Sequence, residues 1–220
     1  IGDEKEAFIH YLDLGLYFNA FDEFVRRTNT NTNANDIFSE IQLGPILEKE
    51  GQIDKVLKPG QMVVVQIVKE PISTKGSRLT AEISLAGRNI VLLPFAKKVS
   101  ISQKISSKEE KKRLETLVRS ILPANYGAII RTAAEGKNAA ILVSELKSLI
   151  SKWEGSWTKL SKSKNVQLLF TEYSKTTTIL RDLLNDSFSN IYVNDKKEYE
   201  EILKYVSQIS PEQEKIVKLY

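Results

Sequence analysis

The hydrophobic period changes once along this chain, at Pro94, and that change limits what each part can become. Before Pro94 two apolar segments read as strands. Val63-Val64-Val65-Gln66-Ile67-Val68 is a β-branched run entered through the turn signal Lys58-Pro59-Gly60-Gln61. Leu79, Ala81, Ile83 and Leu85 then alternate with Arg78, Thr80, Glu82 and Ser84. After Pro94 the recurrence is every three or four residues. A period of two lines one face of a strand, and a period near 3.6 lines one stripe of a helix. The expected fold class is α+β in two units: a small antiparallel β unit over residues 1–85, and an α/β unit over 86–220.

Local signals fill in this outline. Residues 7–11, Ala-Phe-Ile-His-Tyr, read as a short strand. The tract Thr28-Asn29-Thr30-Asn31-Thr32-Asn33-Ala34-Asn35-Asp36 has no composition for a core and is expected to be a mobile loop. Ser106 or Ser107, each with a Glu three residues on, can cap a helix whose face is Leu114, Leu117, Val118 and Ile121, ended by Pro123. Residues 126–132 read as a buried strand. Leu142, Leu146, Leu149, Trp153, Trp157 and Leu160 mark a long helix. Strands are expected at 165–170 and 188–193 and a helix at 176–184. A last helix is capped by Asp195, uses Tyr199, Ile202, Leu203 and Val206, and stops before Pro211. Strands alternating with helices imply a sheet covered by helices.

Charge follows the same division. Residues 1–87 hold 9 Lys+Arg against 13 Asp+Glu, a balance of −4, and the remaining 23 and 15 in residues 88–220 give +8. A basic second part favours contact with a polyanion, although lysine-rich solvated faces give the same count. With no cysteine, disulfides and thiolate metal sites are excluded. The single histidine, His10, argues against a His-rich zinc centre and a Ser-His-Asp triad. No run approaches the roughly 18 apolar residues of a membrane span; Ile90-Val91-Leu92-Leu93 is ended by Pro94. The start Ile1-Gly2-Asp3 has neither an initiator Met nor a signal peptide, as expected of a piece of a longer protein.

Three segments invite chemistry. Glu135-Gly136-Lys137-Asn138 suggests a phosphate loop, but Arg131 stands where that loop needs its first glycine, and Asn138 replaces its Ser/Thr. A nucleoside-triphosphate site is rejected. Asp182 and Asp186, one helical turn apart, read as solvated helix charges. Phe8 and His10, two apart on a strand, share a face: either a stacking platform for unpaired bases, or a core ring beside a surface histidine. The connection 69–80 carries Lys69, Lys75 and Arg78, suited to backbone phosphates or simply to solvent.

The segment 65–88, Val-Gln-Ile-Val-Lys-Glu-Pro-Ile-Ser-Thr-Lys-Gly-Ser-Arg-Leu-Thr-Ala-Glu-Ile-Ser-Leu-Ala-Gly-Arg, resembles the ribonuclease E/G family, as does Val-Leu-Leu-Pro at 91–94. Gly-Ala-Ile-Ile-Arg-Thr-Ala-Ala-Glu-Gly-Lys at 127–137 is similar to that family's second hallmark segment. The resemblance implies an OB-fold of the S-one type over 1–85, incomplete at its N-terminus, and a ribonuclease-H-like domain with a 5′-phosphate sensor over 86–220. It also implies RNA contact by Phe8, His10 and Lys75, and a 5′-monophosphate pocket of Gly87, Val91, Arg131 and Thr132. The paired arginines the family often carries after an Ile-Ser are Gln103-Lys104 here. No catalytic residue is expected in this chain. The implied parent is a cytoplasmic, homo-oligomeric endoribonuclease that cuts single-stranded, preferably 5′-monophosphorylated RNA. Its Mg2+ site and Zn2+ link would lie in a catalytic domain after Tyr220, so this chain alone is expected to be inactive. The alternatives are a non-enzymatic RNA-binding protein built from the same domains, and a protein-interaction module.

Overall fold

The computed structural model describes residues 1–220 apart from 3, 31–32, 161–164, 173 and 186. Asn31 and Thr32 of the polar tract, and Asp186 of the acidic pair, thus lie outside the described residues. The chain forms two compact units, Ile1–Phe170 and Thr171–Tyr220.

The first 85 residues are not an all-antiparallel β unit. Phe18, Phe21, Val25 and Thr28, spaced by three or four, are buried along one stripe of α1 (Phe18–Thr30) together with Phe24. Asn33 then caps α2 (Ala34–Glu40), its side chain accepting from the Asp36 backbone N–H, while Ile37 and Phe38 turn inward. Apart from the cap Asn33, the described residues of the tract expected to be a loop are therefore helical. Thr30 and Asn33 sit at helix ends, where short polar side chains satisfy backbone groups instead of competing with them.

The first sheet has the order β1-β3-β2, with β1 (Phe8–Ile9) parallel to β3 (Arg78–Thr80) and β2 (Gln66–Lys69) antiparallel to it. The strand expected through residue 85 breaks after Thr80, and β4 (Leu85–Ala86) belongs to a different sheet. Between the two, Ala81 N–H donates to the Asp13 carbonyl at 2.8 Å. The Gln66 side chain brackets Ser84, accepting from its N–H at 2.9 Å and donating to its carbonyl at 3.1 Å. Leu79, Ala81, Ile83 and Leu85 are all buried, so the alternation reports burial while the pairing partner changes.

The second sheet runs β4-β5-β7-β6, with β5 (Ile90–Pro94), β6 (Val99–Ile101) and β7 (Tyr126–Ile130). β7 is antiparallel to β5 and parallel to β6. The parallel pair needs a crossover, which is α3 (Lys108–Ile121). Ser107 caps α3 as expected, its Oγ accepting from Glu110 N–H at 3.1 Å. All six residues of the stripe read from the sequence are buried on α4 (Ala139–Leu160). Ile90, Leu92, Ala128 and Ile130 meet α4, α1 and α2 in one core, to which both sides of position 85/86 contribute.

Aromatic rings fill the centre of that core. Phe95 has a left-handed φ of 53°, unfavourable for a bulky residue. Its ring is fixed among Phe21, Phe24 and Phe38, with centroids at 4.9, 5.4 and 5.2 Å, which offsets the strain. Asn125, also left-handed, donates to the carbonyls of Phe38 and Ile41 at 3.0 and 2.8 Å and closes the end of α2. Residues 165–170 are not the expected strand. Leu169 and Phe170 pack on the core, while Val166 and Leu168 are exposed.

In the second unit, α5 (Lys175–Leu183) and α6 (Lys196–Ile209) accompany a parallel pair, β8 (Ile191–Val193) with β9 (Val217–Leu219). Asp195 caps α6, its Oδ1 accepting from Glu198 N–H at 2.8 Å. Leu180, Ile202, Val206 and Val217 form its core. No helix among the described residues is long and apolar enough to cross a membrane.

Candidate functional site

Three of the four residues expected around a phosphate converge at one end of the second sheet. Gly87 opens the turn between β4 and β5, its N–H donating to the Ile90 carbonyl at 2.9 Å. Ile90 pairs with Ile130, the last residue of β7, and this register brings Arg131 against the turn. Arg131 N–H donates to the Asn89 carbonyl at 2.8 Å, and Arg131 Nη1 donates to the Gly87 carbonyl at 2.9 Å. The backbone and the guanidinium of Arg131 are thus both anchored on one turn. Thr132, exposed, starts a 3-10 turn (Thr132–Ala134). Val91 differs. Its register partners are Ala86 and Ile129, so it lies on the sheet face opposite the buried Ile90 and Leu92, as part of an apolar row beside the turn.

Ser102, read in the sequence only as part of the Ile-Ser before Gln103-Lys104, and Glu145, not singled out there, join this site. Ser102 follows β6, its N–H donating to the Ile130 carbonyl at 2.8 Å, and its Oγ lies 2.8 Å from Thr132 Oγ1. Lys104 N–H donates to the same Oγ at 3.3 Å. Two hydroxyls and a guanidinium are the donor set suited to a phosphate: Arg presents a planar fork, and the hydroxyls add rotatable donors. Glu145 on α4 takes the Arg88 N–H and the Asn89 N–H on its carboxylate, the latter at 3.1 Å to either oxygen. Burial pushes its carboxyl above the usual range, opposed by hydrogen bonds from Asn89 and Arg88 and by the Arg131 charge. The carboxylate also explains the glycine. A Cβ on Gly87 would lie 2.5 Å from Glu145 Oε1 and 2.7 Å from the Ile90 carbonyl oxygen.

The loop after Thr132 is clamped from α3. Glu110 accepts from Gly136 N–H at 2.9 Å and from Arg113 through two 2.7 Å bonds, and Arg113 donates to the Lys137 carbonyl at 3.0 Å. Gly136 has φ +70°, a conformation that suits glycine. Asn138, where a phosphate loop would carry Ser/Thr, accepts from Ile141 N–H at 3.0 Å at the start of α4. The Arg113 and Gly136 donors hold the Glu110 carboxyl at about 2, against an ordinary 4.5. A depressed carboxyl stabilises the fold above its unfolded value, so this contribution is complete above about 4.5 and disappears as pH falls toward 2. An NMR titration is expected to place Glu110 at about 2 and to return it toward 4.5 in Arg113→Ala. A wild-type midpoint already near 4.5 would show that the clamp does not form.

Of the residues expected to touch RNA, Phe8 lies on the first sheet and His10 and Lys75 on the segments next to it. The strand ends at Ile9, so His10 is not on it but precedes the 3-10 turn Tyr11–Leu14. The two rings still meet edge to face, centroids 5.5 Å apart, and both side chains are exposed. Arg78, in register with Phe8, is held by Asp13 through two 3.0 Å bonds. Lys75 is exposed on the hairpin between β2 and β3, where Ile72 and Lys75 exchange backbone bonds of 3.1 and 3.0 Å. The next residue must be glycine, because the Glu6 carbonyl occupies the space a Gly76 Cβ would need.

The model of the ribonuclease E/G family matches residues 84–220, which include Gly87, Val91, Arg131 and Thr132. Ribonuclease G of Haemophilus influenzae is 32% identical over 220 residues, 100% of this chain and 41% of that protein. Ribonuclease G of Escherichia coli (strain K12) is 35% identical over 160 residues, 73% of this chain and 33% of that protein. Ribonuclease E of Nostoc sp. is 34% identical over 170 residues, 76% and 25%. The chain thus spans at most 41% of the length of these relatives. With a family model covering more than half of its residues, the chain belongs to the ribonuclease E/G family.

Proposed function

We propose that this chain is the RNA-binding and 5′-monophosphate-sensing part of an endoribonuclease that hydrolyses single-stranded RNA. The observation that supports it most is the anchoring of Arg131 on the Gly87–Ile90 turn, with the next residue, Thr132, pairing its hydroxyl with that of Ser102. A terminal phosphate monoester is dianionic and offers three oxygens, so it uses a fixed fork plus hydroxyls better than a diester within the chain does. Phe8 and His10 stack on unpaired bases and Lys75 follows the backbone, which gives sequence-tolerant affinity. In this reading residues 1–85 are the S-one-type part and 86–220 the ribonuclease-H-like part of a homo-oligomeric cytoplasmic parent.

The residues present do not fit the metals the resemblance implies. Among the described residues no three His, Cys, Asp or Glu side chains gather as a metal site. In this reading Mg2+ and Zn2+ belong with the cleavage step in the rest of the parent, and this chain by itself is expected not to cut RNA. The test of the sensing role is a competition for this chain between two forms of one single-stranded RNA, 5′-monophosphorylated and 5′-hydroxyl. Tighter binding of the phosphorylated form is expected, and equal binding of the two overturns the proposal.

A further inference from the structure

We propose that Glu145 is a positioning residue for the phosphate site, holding the Gly87–Ile90 turn in the shape that presents its carbonyls to Arg131; this rests on the sensing role proposed above. Glu145 itself does not touch the phosphate.

The geometry forms a short chain of contacts. The Glu145 carboxylate accepts from two consecutive backbone N–H groups, those of Arg88 and Asn89, at the tip of the turn. Two successive amides on one anion make a concave grip that fixes the peptide planes between them. Those planes carry the Gly87 carbonyl, which takes Arg131 Nη1, and the Asn89 carbonyl follows, taking Arg131 N–H. The carboxylate therefore sets the orientation of the guanidinium from the far side of the turn. Asn89 is buried and its backbone is bonded on both sides, to Glu145 and to Arg131, so the turn has little room to find a second shape. The missing Cβ at Gly87 fits the same purpose, because an alanine there would push the carboxylate away.

Position 145 also lies within the buried stripe of α4, three residues after Leu142 and four before Leu149. A carboxylate at that position carries a desolvation cost that an apolar residue would avoid. Against that cost stand the two amide hydrogen bonds, which satisfy the turn's backbone and hold it in one shape.

The test compares wild type with Glu145→Ala and Glu145→Gln, measuring affinity for 5′-monophosphorylated and 5′-hydroxyl RNA and amide hydrogen exchange at Arg88 and Asn89. Gln keeps a carbonyl oxygen that can accept both amides, as Oε1 does now, but carries no charge. Glu145→Ala is expected to reduce the phosphate preference about three- to tenfold, the scale of coupling within one hydrogen-bond network. It is also expected to speed exchange at both amides and leave 5′-hydroxyl binding unchanged. Glu145→Gln should restore most of the preference and the protection. A full wild-type preference in Glu145→Ala overturns the inference, as does equal loss in Ala and Gln, which would make the effect one of charge. If Glu145→Ala does not fold, Glu145→Gln decides: loss of its preference with the amides still protected overturns the inference. Equal wild-type binding of the two RNA forms refutes instead the sensing role on which the inference rests.

Discussion

Phe24→Ala is expected to lower the unfolding free energy of this chain by about 3–5 kcal/mol, among the largest effects of any single truncation here. Phe24 is 0% exposed, and its ring meets Trp157, Phe95 and Phe38 at centroid distances of 5.2, 5.4 and 5.7 Å. Those partners come from α4, the segment after β5, and α2. A cavity at this point has walls on separate elements already fixed by their own packing, so it cannot collapse to recover the lost contacts. Against a typical total stability of about 5–15 kcal/mol the loss is severe. Urea denaturation followed by circular dichroism measures it as a fall in the midpoint at constant slope. Phe8→Ala is the control: its ring is 37% exposed on β1, and its removal should shift stability by roughly 0.5 kcal/mol or less. A Phe24→Ala loss as small as that of Phe8→Ala would contradict the placement of α1 in the core.

That placement is the part of the fold the sequence concealed best, although its signal was there. Phe18, Phe21 and Val25 have helical spacing, and Thr28 carries it into the Thr/Asn tract, whose composition reads as loop. Asn33 shows why composition misled: its side chain caps a helix. The helices α3 and α6 were legible because periodicity and capping agree in each, and α4 because its periodicity is long and unbroken. The strands were less so. Alternation from Leu79 to Leu85 is continuous because burial is continuous, while the sheet partner changes between Thr80 and Leu85. Strand pairing depends on distant segments, which a local pattern does not contain.

The site divides in the same way. Gly87, Arg131 and Thr132 were reachable through the family resemblance, and the β5–β7 register is what joins the first to the other two. Ser102 reaches Thr132 only through the β6–β7 register, in which Ile101 pairs with Ile130. Glu145 had a readable signal, a carboxylate inside an otherwise apolar stripe. Its target, a turn more than fifty residues earlier, is set by how α4 packs on the sheet. The Phe8–His10 pair was legible as two neighbouring rings, but the strand that would have aligned them ends one residue too soon.

The strongest functional effect is expected at Arg131. A charge-assisted hydrogen bond contributes about 1.5–3 kcal/mol, which corresponds to roughly a ten- to hundredfold preference for a 5′-monophosphate over a 5′-hydroxyl. The anchoring of Arg131 on Gly87 and Asn89 means that little side-chain entropy is lost when phosphate binds, which keeps the effect near the upper part of that range. Thr132→Val, similar in shape but without the hydroxyl paired to Ser102, should remove only part of it. The most direct measurement is the ratio of affinities for the two RNA ends in wild type and in Arg131→Ala, at one fixed salt concentration because phosphate contacts are salt-dependent. Arg131→Ala is expected to bring that ratio close to one while 5′-hydroxyl binding stays within about twofold, since the remaining contacts follow the RNA backbone. An equal loss for both ends, or an undiminished ratio, would contradict a 5′-phosphate site at Arg131.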